Sequence, residues 1–407
     1  MPTITLTHPS TQEDWEKLVA FNALVHPSDN PALFVHLYKE RPDLSPEDHA
    51  MLVEDGQIIA TGSLLPHHHY MGDEEIEVGE IGLMGTHPDR QLEGHARRLV
   101  NHWLEVAKER GYPYVYLYGI PHFYERFGFT YAAPHHGYAS LTMTKKVLEP
   151  VLSPMRVRPM IAADLALIMD LYDEANSRTP MAEVRSADYW NYRIAHTHRG
   201  GFGWWVVVDE TNLPQGYVWA DLAGARLREV VAGNEEAARA ILQWMRWELT
   251  ERKLEAFTAQ VPLNQTFARV AHRMGGLFGN PHYLFPGNWG AMVKVLKLLP
   301  LLEALRPQLE ERLRESRYAP MEFQATLIMG DEPVSLRWFR QHLQVGPGCA
   351  GREITLPANC WAPLIMGYRT IDDFIGLELE DAEKHLLRTL FPAGHPFIWD
   401  LEQSDAL

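Results

Sequence analysis

The stretch that most constrains this chain runs from Glu80 to Phe129. It begins as an extended segment, Glu80-Ile81-Gly82-Leu83-Met84-Gly85-Thr86, which stops at His87-Pro88. A glycine-interrupted turn, Asp89-Arg90-Gln91-Leu92-Glu93-Gly94-His95-Ala96, then opens an amphipathic helix to about Arg110. A second short strand, Tyr114 to Tyr118, and the aromatic block Phe123-Tyr124-Glu125-Arg126-Phe127-Gly128-Phe129 complete it. A strand that enters a helix through a glycine turn leaves several backbone N–H groups without partners. With the positive end of the helix dipole they form a site for phosphate. Arg90, Arg97 and Arg98 surround that start and add the cationic donors phosphate favours. No G-x-G-x-x-G or G-K-[ST] leads from a strand into a helix, which argues against Rossmann-type and P-loop sites.

The spacing resembles the GCN5-related N-acetyltransferase (GNAT) superfamily, whose pattern is a strand, a proline, and Gln/Arg-x-x-Gly-x-Gly/Ala at a helix start. Here these are Pro88 and Gln91-Leu92-Glu93-Gly94-His95-Ala96, and the family's later Tyr-x-x-x-Gly-Phe element stands as Tyr124 to Phe129. The resemblance implies acetyl-CoA as the acetyl donor. Pantetheine would lie along backbone groups of Leu83, Met84, Gly85 and Thr86. The pyrophosphate would sit on the amides of Gln91, Leu92, Glu93, Gly94, His95 and Ala96, beside Arg90 and Arg97. It further implies that Tyr124 is the general acid for the departing thiolate. The bland alternative for Tyr124 is one more packing aromatic among Phe123, Phe127 and Phe129.

Acetyl transfer to an amine also needs a proton acceptor. Glu80, on the binding strand, is the candidate, set against a solvated strand carboxylate beside Glu74, Glu75 and Glu77. His67-His68-His69 invites a metal reading, since His67 and His69 share one strand face. A polar strand lining a groove, or plain surface, is favoured, and no metal is expected. Trp190, Trp204, Trp205 and Trp219 read as core.

At 407 residues the chain is too long for one ordinary core. Hydrophobic residues at 46% and charged ones at 22% fit a globular protein, and no apolar run approaches the ~20 residues of a membrane span. The start, Met1-Pro2-Thr3-Ile4-Thr5, carries no secretory pattern. Cys349 and Cys360 are the only cysteines, which fits a reducing compartment, so a cytoplasmic location is expected. A net charge of −16 argues against nucleic acid as partner and is compatible with cationic amines.

In order, the chain predicts a strand at Thr3–Thr7, helices at Thr11–Val25 and Pro31–Lys39, and long strands at Gln57–His69 and Glu74–Thr86. The stretch from Glu80 to Phe129 follows, read as strand, helix, strand and a further helix. A strand at Tyr138–Thr144 then closes the first domain. From Met155 the same order recurs. It runs through a hairpin (Trp204–Val208, Tyr217–Ala220), a helix from Asn234 to Arg252, a strand at Ala256–Val261 and a helix ending at Met274-Gly275-Gly276. This reads as an internal duplication. Its helix opens on Asn234-Glu235-Glu236, a good start for a helix but repulsive to pyrophosphate. From about Gly290, Val295, Leu296, Leu299, Leu302, Leu305, Leu309 and Leu313 line one helix face. Strands follow at Met321–Met329, Val334–Phe339 and Glu353–Pro357, and helices around Ala362 and over Asp381–Leu390.

This layout resembles the enhanced-intracellular-survival type of acetyltransferase. The expected fold is α/β (α+β): two tandem GNAT domains with mixed, mostly antiparallel sheets, at 1–152 and 153–289, and a sterol-carrier-like α/β domain at 290–407. The resemblance implies a homo-oligomer. It also implies that the terminal carboxylate reaches the tyrosine, usually just after an aromatic residue. This chain departs from that, since it ends Trp399-Asp400-Leu401-Glu402-Gln403-Ser404-Asp405-Ala406-Leu407. The expected function is acetyl-CoA-dependent transfer to a primary amine, small-molecule or peptide, by direct attack in a ternary complex. The alternative is a non-catalytic acyl-CoA or lipid sensor on the same scaffold.

Overall fold

The computed structural model describes residues 3–27, 31–120, 122–134, 140–148, 151–196, 202–279 and 290–398. These fall into two compact units. One holds residues up to 133 with 290–394, the other the described residues between 134 and 279 with 395–398.

The first unit opens with β1 (Thr5–Thr7), α1 (Gln12–Val25), α2 (Pro31–Lys39), β2 (His49–Glu54), β3 (Gln57–Met71) and β4 (Glu74–Thr86). It continues with α3 (His95–Glu109), β5 (Tyr114–Tyr118) and β6 (Thr130–Pro134). Thr11 and Asp14 close a capping box that fixes where α1 starts. Strand alternation sends Met51 to one face of the sheet and Leu52 to the other. Leu18, Phe34 and Tyr38 of α1 and α2 bury Met51, while Leu99, Val100 and Trp103 of α3 pack with Leu52, Leu64 and Ile81.

The second unit takes β7 (Ser140–Thr144), β8 (Arg156–Pro159), α4 (Leu165–Asn176), α5 (Ala187–His196), β9 (Phe202–Val208) and β10 (Pro214–Asp221). After these come β11 (Arg226–Ala232), α6 (Glu235–Glu251), β12 (Ala256–Gln260), α7 (Thr266–Arg273) and β13 (Leu277–Gly279). Trp190, Trp204 and Trp219 are buried there, and Trp205 packs on Trp244, so the tryptophans are core. The chain then returns to the first unit with β14 (Gly290–Val295) and α8 (Leu298–Arg314). It continues as β15 (Phe323–Met329), β16 (Glu332–Phe339), β17 (His342–Pro347), β18 (Arg352–Thr355), α9 (Ala358–Ile365) and α10 (Asp381–Leu390).

The first sheet has the order β1-β2-β3-β4-β5-β14-β6 and the second β8-β9-β10-β11-β12-β7-β13. In both, the fourth and fifth strands run parallel: β4 with β5 and β11 with β12. The sheets therefore share one plan, but the strand next to the fifth is exchanged. β7, which precedes the second copy, pairs with β12 and β13, and β14, which follows that copy, pairs with β5.

This corrects the expected boundaries. The strand predicted to close a domain ending at 152 belongs to the second sheet; Tyr138, its predicted start, lies outside the described residues. The segment expected to begin a separate domain at 290 supplies a strand to the first sheet, and 290–394 falls in one unit with it. The partners of Ser140–Thr144 and Gly290–Val295 are set by tertiary contact, and sequence order does not choose between the two sheets.

The third sheet, β17-β16-β15-β18, packs on α8. Val295 belongs to β14 rather than to the helix, whose leucines Leu302, Leu305, Leu309 and Leu313 are buried. The leucine stripe is thus a packed face. Glu332 accepts the N–H groups of Leu298 and Leu299 at 2.8 and 3.0 Å and sets where α8 begins. The helix predicted after the fifth strand is only a three-residue 3-10 turn, Glu125–Phe127. No helix among the described residues is long and apolar enough to cross a membrane.

Candidate functional site

β4 pairs with β3 over nearly its whole length but with β5 only at Gly79↔Val115 and Glu80↔Tyr116. Beyond that point β5 keeps β14 as its partner, whereas the other edge of β4 from Ile81 to Thr86 has no strand partner among the described residues. The cause is a bulge. The β3 register slips between Thr61 and Ser63, and Leu83 sits at φ 51, a region a leucine enters only under constraint. Two glycines make the bend possible. A Cβ on Gly62 would lie 2.3 Å from Met84 Sδ, and one on Gly85 would lie 2.4 Å from Val25 Cγ2. Leu83, Met84, Gly85 and Thr86 thus lie along a strand edge whose outward N–H and C=O groups can take an extended amide ligand.

The chain next passes through Leu92 at φ 67 and Gly94 at φ 88 into α3, whose first turn has no side-chain cap. A side chain at Gly94 would meet nothing within 4 Å, so the glycine is required by its backbone angle and not by crowding. The backbone from Gln91 to Ala96 thus enters α3 with no side-chain cap on the first turn, and first-turn N–H groups of this kind are donors an anion can use.

One expected ligand, Arg90, already has carboxylate partners. Arg90 is ion-paired with Glu54 and, at 2.9 Å, with Glu93, which also meets His95 Nε2 at 3.2 Å. Hydrogen bonds to those carboxylates raise Arg90 further, and Arg90 in turn lowers Glu93. Arg97 is exposed, and Arg98 spends one N–H on the Ile4 carbonyl at 3.2 Å.

Tyr124 opens the 3-10 turn that follows β5. Its ring is edge-on to Phe123 at 4.8 Å and to Phe129 at 6.1 Å. It also covers Gly119, where a Cβ would lie 2.5 Å from the ring. Burial pushes the phenol up to about 12, so it stays protonated at physiological pH. Lys294, from the exchanged strand β14, donates to the Phe127 carbonyl and ties this turn to the sheet.

Glu80 is not a solvated strand carboxylate. Its side chain is 8% exposed, and Oε2 lies 3.3 Å from both His67 Nε2 and the Tyr116 hydroxyl. The histidine run is not surface either: His67 and His69 are buried and His68 is exposed. His69 Nδ1 lies 2.6 Å from the Tyr114 hydroxyl. His67 and Tyr116 are neighbours of Glu80 beyond those the motifs indicate. The alternation of His67/His69 and of Tyr114/Tyr116/Tyr118 on adjoining strands was the available signal. The C-terminal tail beyond Ile398 lies outside the described residues; Phe397, just before it, is buried and donates to the Pro180 carbonyl at 3.1 Å.

Residues 7–132 match the family model of an acetyltransferase (GNAT) domain. No curated protein matches the sequence. Solved structures do match in fold. One is a protein of Enterococcus faecalis described as a probable N-acyltransferase, with TM-score 0.74 and 15% identity over 98% of this chain and 100% of that one. A GCN5-related N-acetyltransferase from Anabaena variabilis gives 0.73 and 15% over 98% and 100%. Eis1 from Mycobacterium abscessus gives 0.68 and 14% over the same shares. At such identities the likeness shows the fold, here a mixed α/β architecture with GNAT-type sheets in tandem.

Proposed function

We propose that this chain is an acetyl-CoA-dependent N-acetyltransferase acting on a primary amine by direct attack in a ternary complex. The observation that carries the reading is the parting of β4 from β5 immediately beyond Glu80 and Tyr116. That parting is flanked in sequence by the uncapped glycine start of α3 and the Tyr124 turn. The match of residues 7–132 to an acetyltransferase domain supports it, as do fold relatives described as N-acetyl- or N-acyltransferases.

In this reading the β4 edge from Leu83 to Thr86 holds pantetheine, and the amides of Gln91 to Ala96 hold the pyrophosphate. Arg97 is the nearby cation, and Arg90 becomes one when it exchanges Glu93 for phosphate. Glu80 takes a proton from the incoming ammonium. The freed nitrogen pair forms the C–N bond, the C–S bond breaks, Tyr124 gives its proton to the thiolate, and the second proton leaving the acylated nitrogen restores the Tyr124 phenol. The acceptor class is an amine that is cationic in solution, consistent with a net charge of −16. Resemblance in layout supports a homo-oligomer; a monomeric mass in light scattering overturns that part.

The deciding experiment is a thiol-release screen with acetyl-CoA across aminoglycosides, polyamines, peptide lysines and small amines. Release with at least one class is expected. Tight acetyl-CoA binding without release from any of them overturns catalysis in favour of a sensor.

A further inference from the structure

We infer that His67 is a positioning residue for Glu80, acting with Tyr116 as a two-point clamp on one carboxylate oxygen; this rests on the reading of Glu80 as the proton acceptor. His67 comes from β3 and Tyr116 from β5, the two strands that flank β4 at Glu80. Both place a donor 3.3 Å from the same atom, Oε2. A carboxylate held by two donors from opposite sides cannot rotate freely about its terminal torsion, which is otherwise soft. Its second oxygen is thereby given a fixed direction.

That direction is toward Gly82. A Cβ built there would lie 3.7 Å from Glu80 Oε1 and 3.4 Å from Leu65 Cδ1. The missing side chain leaves room next to Oε1, on the first stretch of β4 that has parted from β5. An amine approaching a thioester laid along that edge therefore meets Oε1, while Oε2 stays occupied.

The clamp requires the ring proton of His67 on Nε2. Arg41 Nη2 also lies 3.5 Å from that nitrogen, but Arg41 has its own acceptors, Asp43 at 2.8 and 3.0 Å and the Pro66 carbonyl at 2.8 Å. A carboxylate oxygen only accepts, so the 3.3 Å approach of Nε2 to Glu80 Oε2 calls for the ring proton on that nitrogen. The ring is packed against His69 and Tyr116, with centroids 5.9 and 5.7 Å away, which holds its plane.

The test uses the full chain, acetyl-CoA and an amine that the wild type turns over. In His67→Leu, kcat falls about 10²-fold, the cost of a misplaced reacting group, while acetyl-CoA affinity by calorimetry is unchanged. His67→Gln puts an amide N–H near the place of Nε2 and restores most of the loss. Tyr116→Phe keeps the ring, removes the other donor and lowers kcat about tenfold. In a Glu80→Gln background neither substitution costs anything further, which a purely structural role would not produce.

An undiminished kcat in His67→Leu, or a loss that persists in full over Glu80→Gln, overturns the clamp. If His67→Leu does not fold, the Tyr116→Phe and Glu80→Gln cycle decides: additive losses overturn the proposal, non-additive ones support it. A wild type that releases no thiol with any amine overturns the acetyltransferase reading itself. An active wild type with a silent His67→Leu overturns only the clamp.

Discussion

The two seven-stranded sheets follow one plan and diverge where a ligand would sit. In the first, α3 begins at left-handed Gly94 with no side-chain cap. In the second, Asn234 accepts the Ala237 N–H at 2.8 Å, and Glu235 and Glu236 fill the first turn of α6. After β5 comes a three-residue turn carrying Tyr124; after β12 comes α7, whose Phe267, Val270 and Ala271 are buried in one core with Val230 and Ala232 of β11.

The buried carboxylates differ in the same sense. Glu80 has a histidine and a tyrosine for partners. Glu229 on β11 is fully buried and held by Arg185 at 2.7 and 3.0 Å, Arg193 at 2.8 Å and the Tyr217 hydroxyl at 2.6 Å. The helix start of the first copy has no side-chain cap, whereas the second copy spends a first-turn N–H and its carboxylate on its own interior. A repeated fold does not repeat a site: a site also requires polar groups left unspent.

The widest separation between the copies is expected from Gly94→Glu. It puts a non-glycine residue at φ 88 and a carboxylate at the anion site, and calorimetry should show acetyl-CoA binding abolished. Wild-type stoichiometry should be one per chain; two sites would erase the contrast. Next in size is Tyr124→Phe, which keeps the ring contacts and should lower turnover about 10²–10⁴-fold with acetyl-CoA affinity unchanged. Full activity would return Tyr124 to a packing role. Deleting Asp405 to Leu407 should cost far less, and an equal loss would bring the tail into catalysis.

In the second copy, Glu229→Gln should leave acetyl-CoA binding intact but destabilise the fold by about 3–5 kcal/mol in denaturant titration, because Arg185 and Arg193 lose their shared counter-charge. The pH dependence follows in sign. Burial alone would raise the Glu229 carboxyl, but Arg185 and Arg193 outweigh it and the net shift is downward. Its contribution is therefore present above the unfolded carboxylate value and lost as pH falls through the depressed folded one. Glu229→Gln should flatten that acid limb; an unchanged limb would deny the network its charge. The smallest effect is Asn234→Ala, which removes a cap worth about 1 kcal/mol. It should create no second acetyl-CoA site, since α7 still fills the core beside β11.

The sequence carried the local half of this. The glycine turn, the proline stop and the tyrosine turn are short-range signals, and they placed α3, β5 and the Tyr124 turn correctly in order. Alternation gave β3 and β4, and Asn234-Glu235-Glu236 marked the helix start of the second copy. What it misjudged was environment. Glu80 and His67 have polar neighbours in sequence and look solvated, yet β3 and β5 enclose them from either side.

The amino-acid sequence by itself determined which backbone turns occur, where helices start and that the fold is built twice, because capping, backbone angle and periodicity act over a few residues. Only the tertiary structure decided that β7 and β14 change sheets, that β4 leaves β5 just past Glu80, and that Arg90 is occupied by Glu54 and Glu93. Those outcomes depend on pairings between residues tens to hundreds of positions apart. Many partners are chemically equivalent there, and the whole packed sheet selects among them.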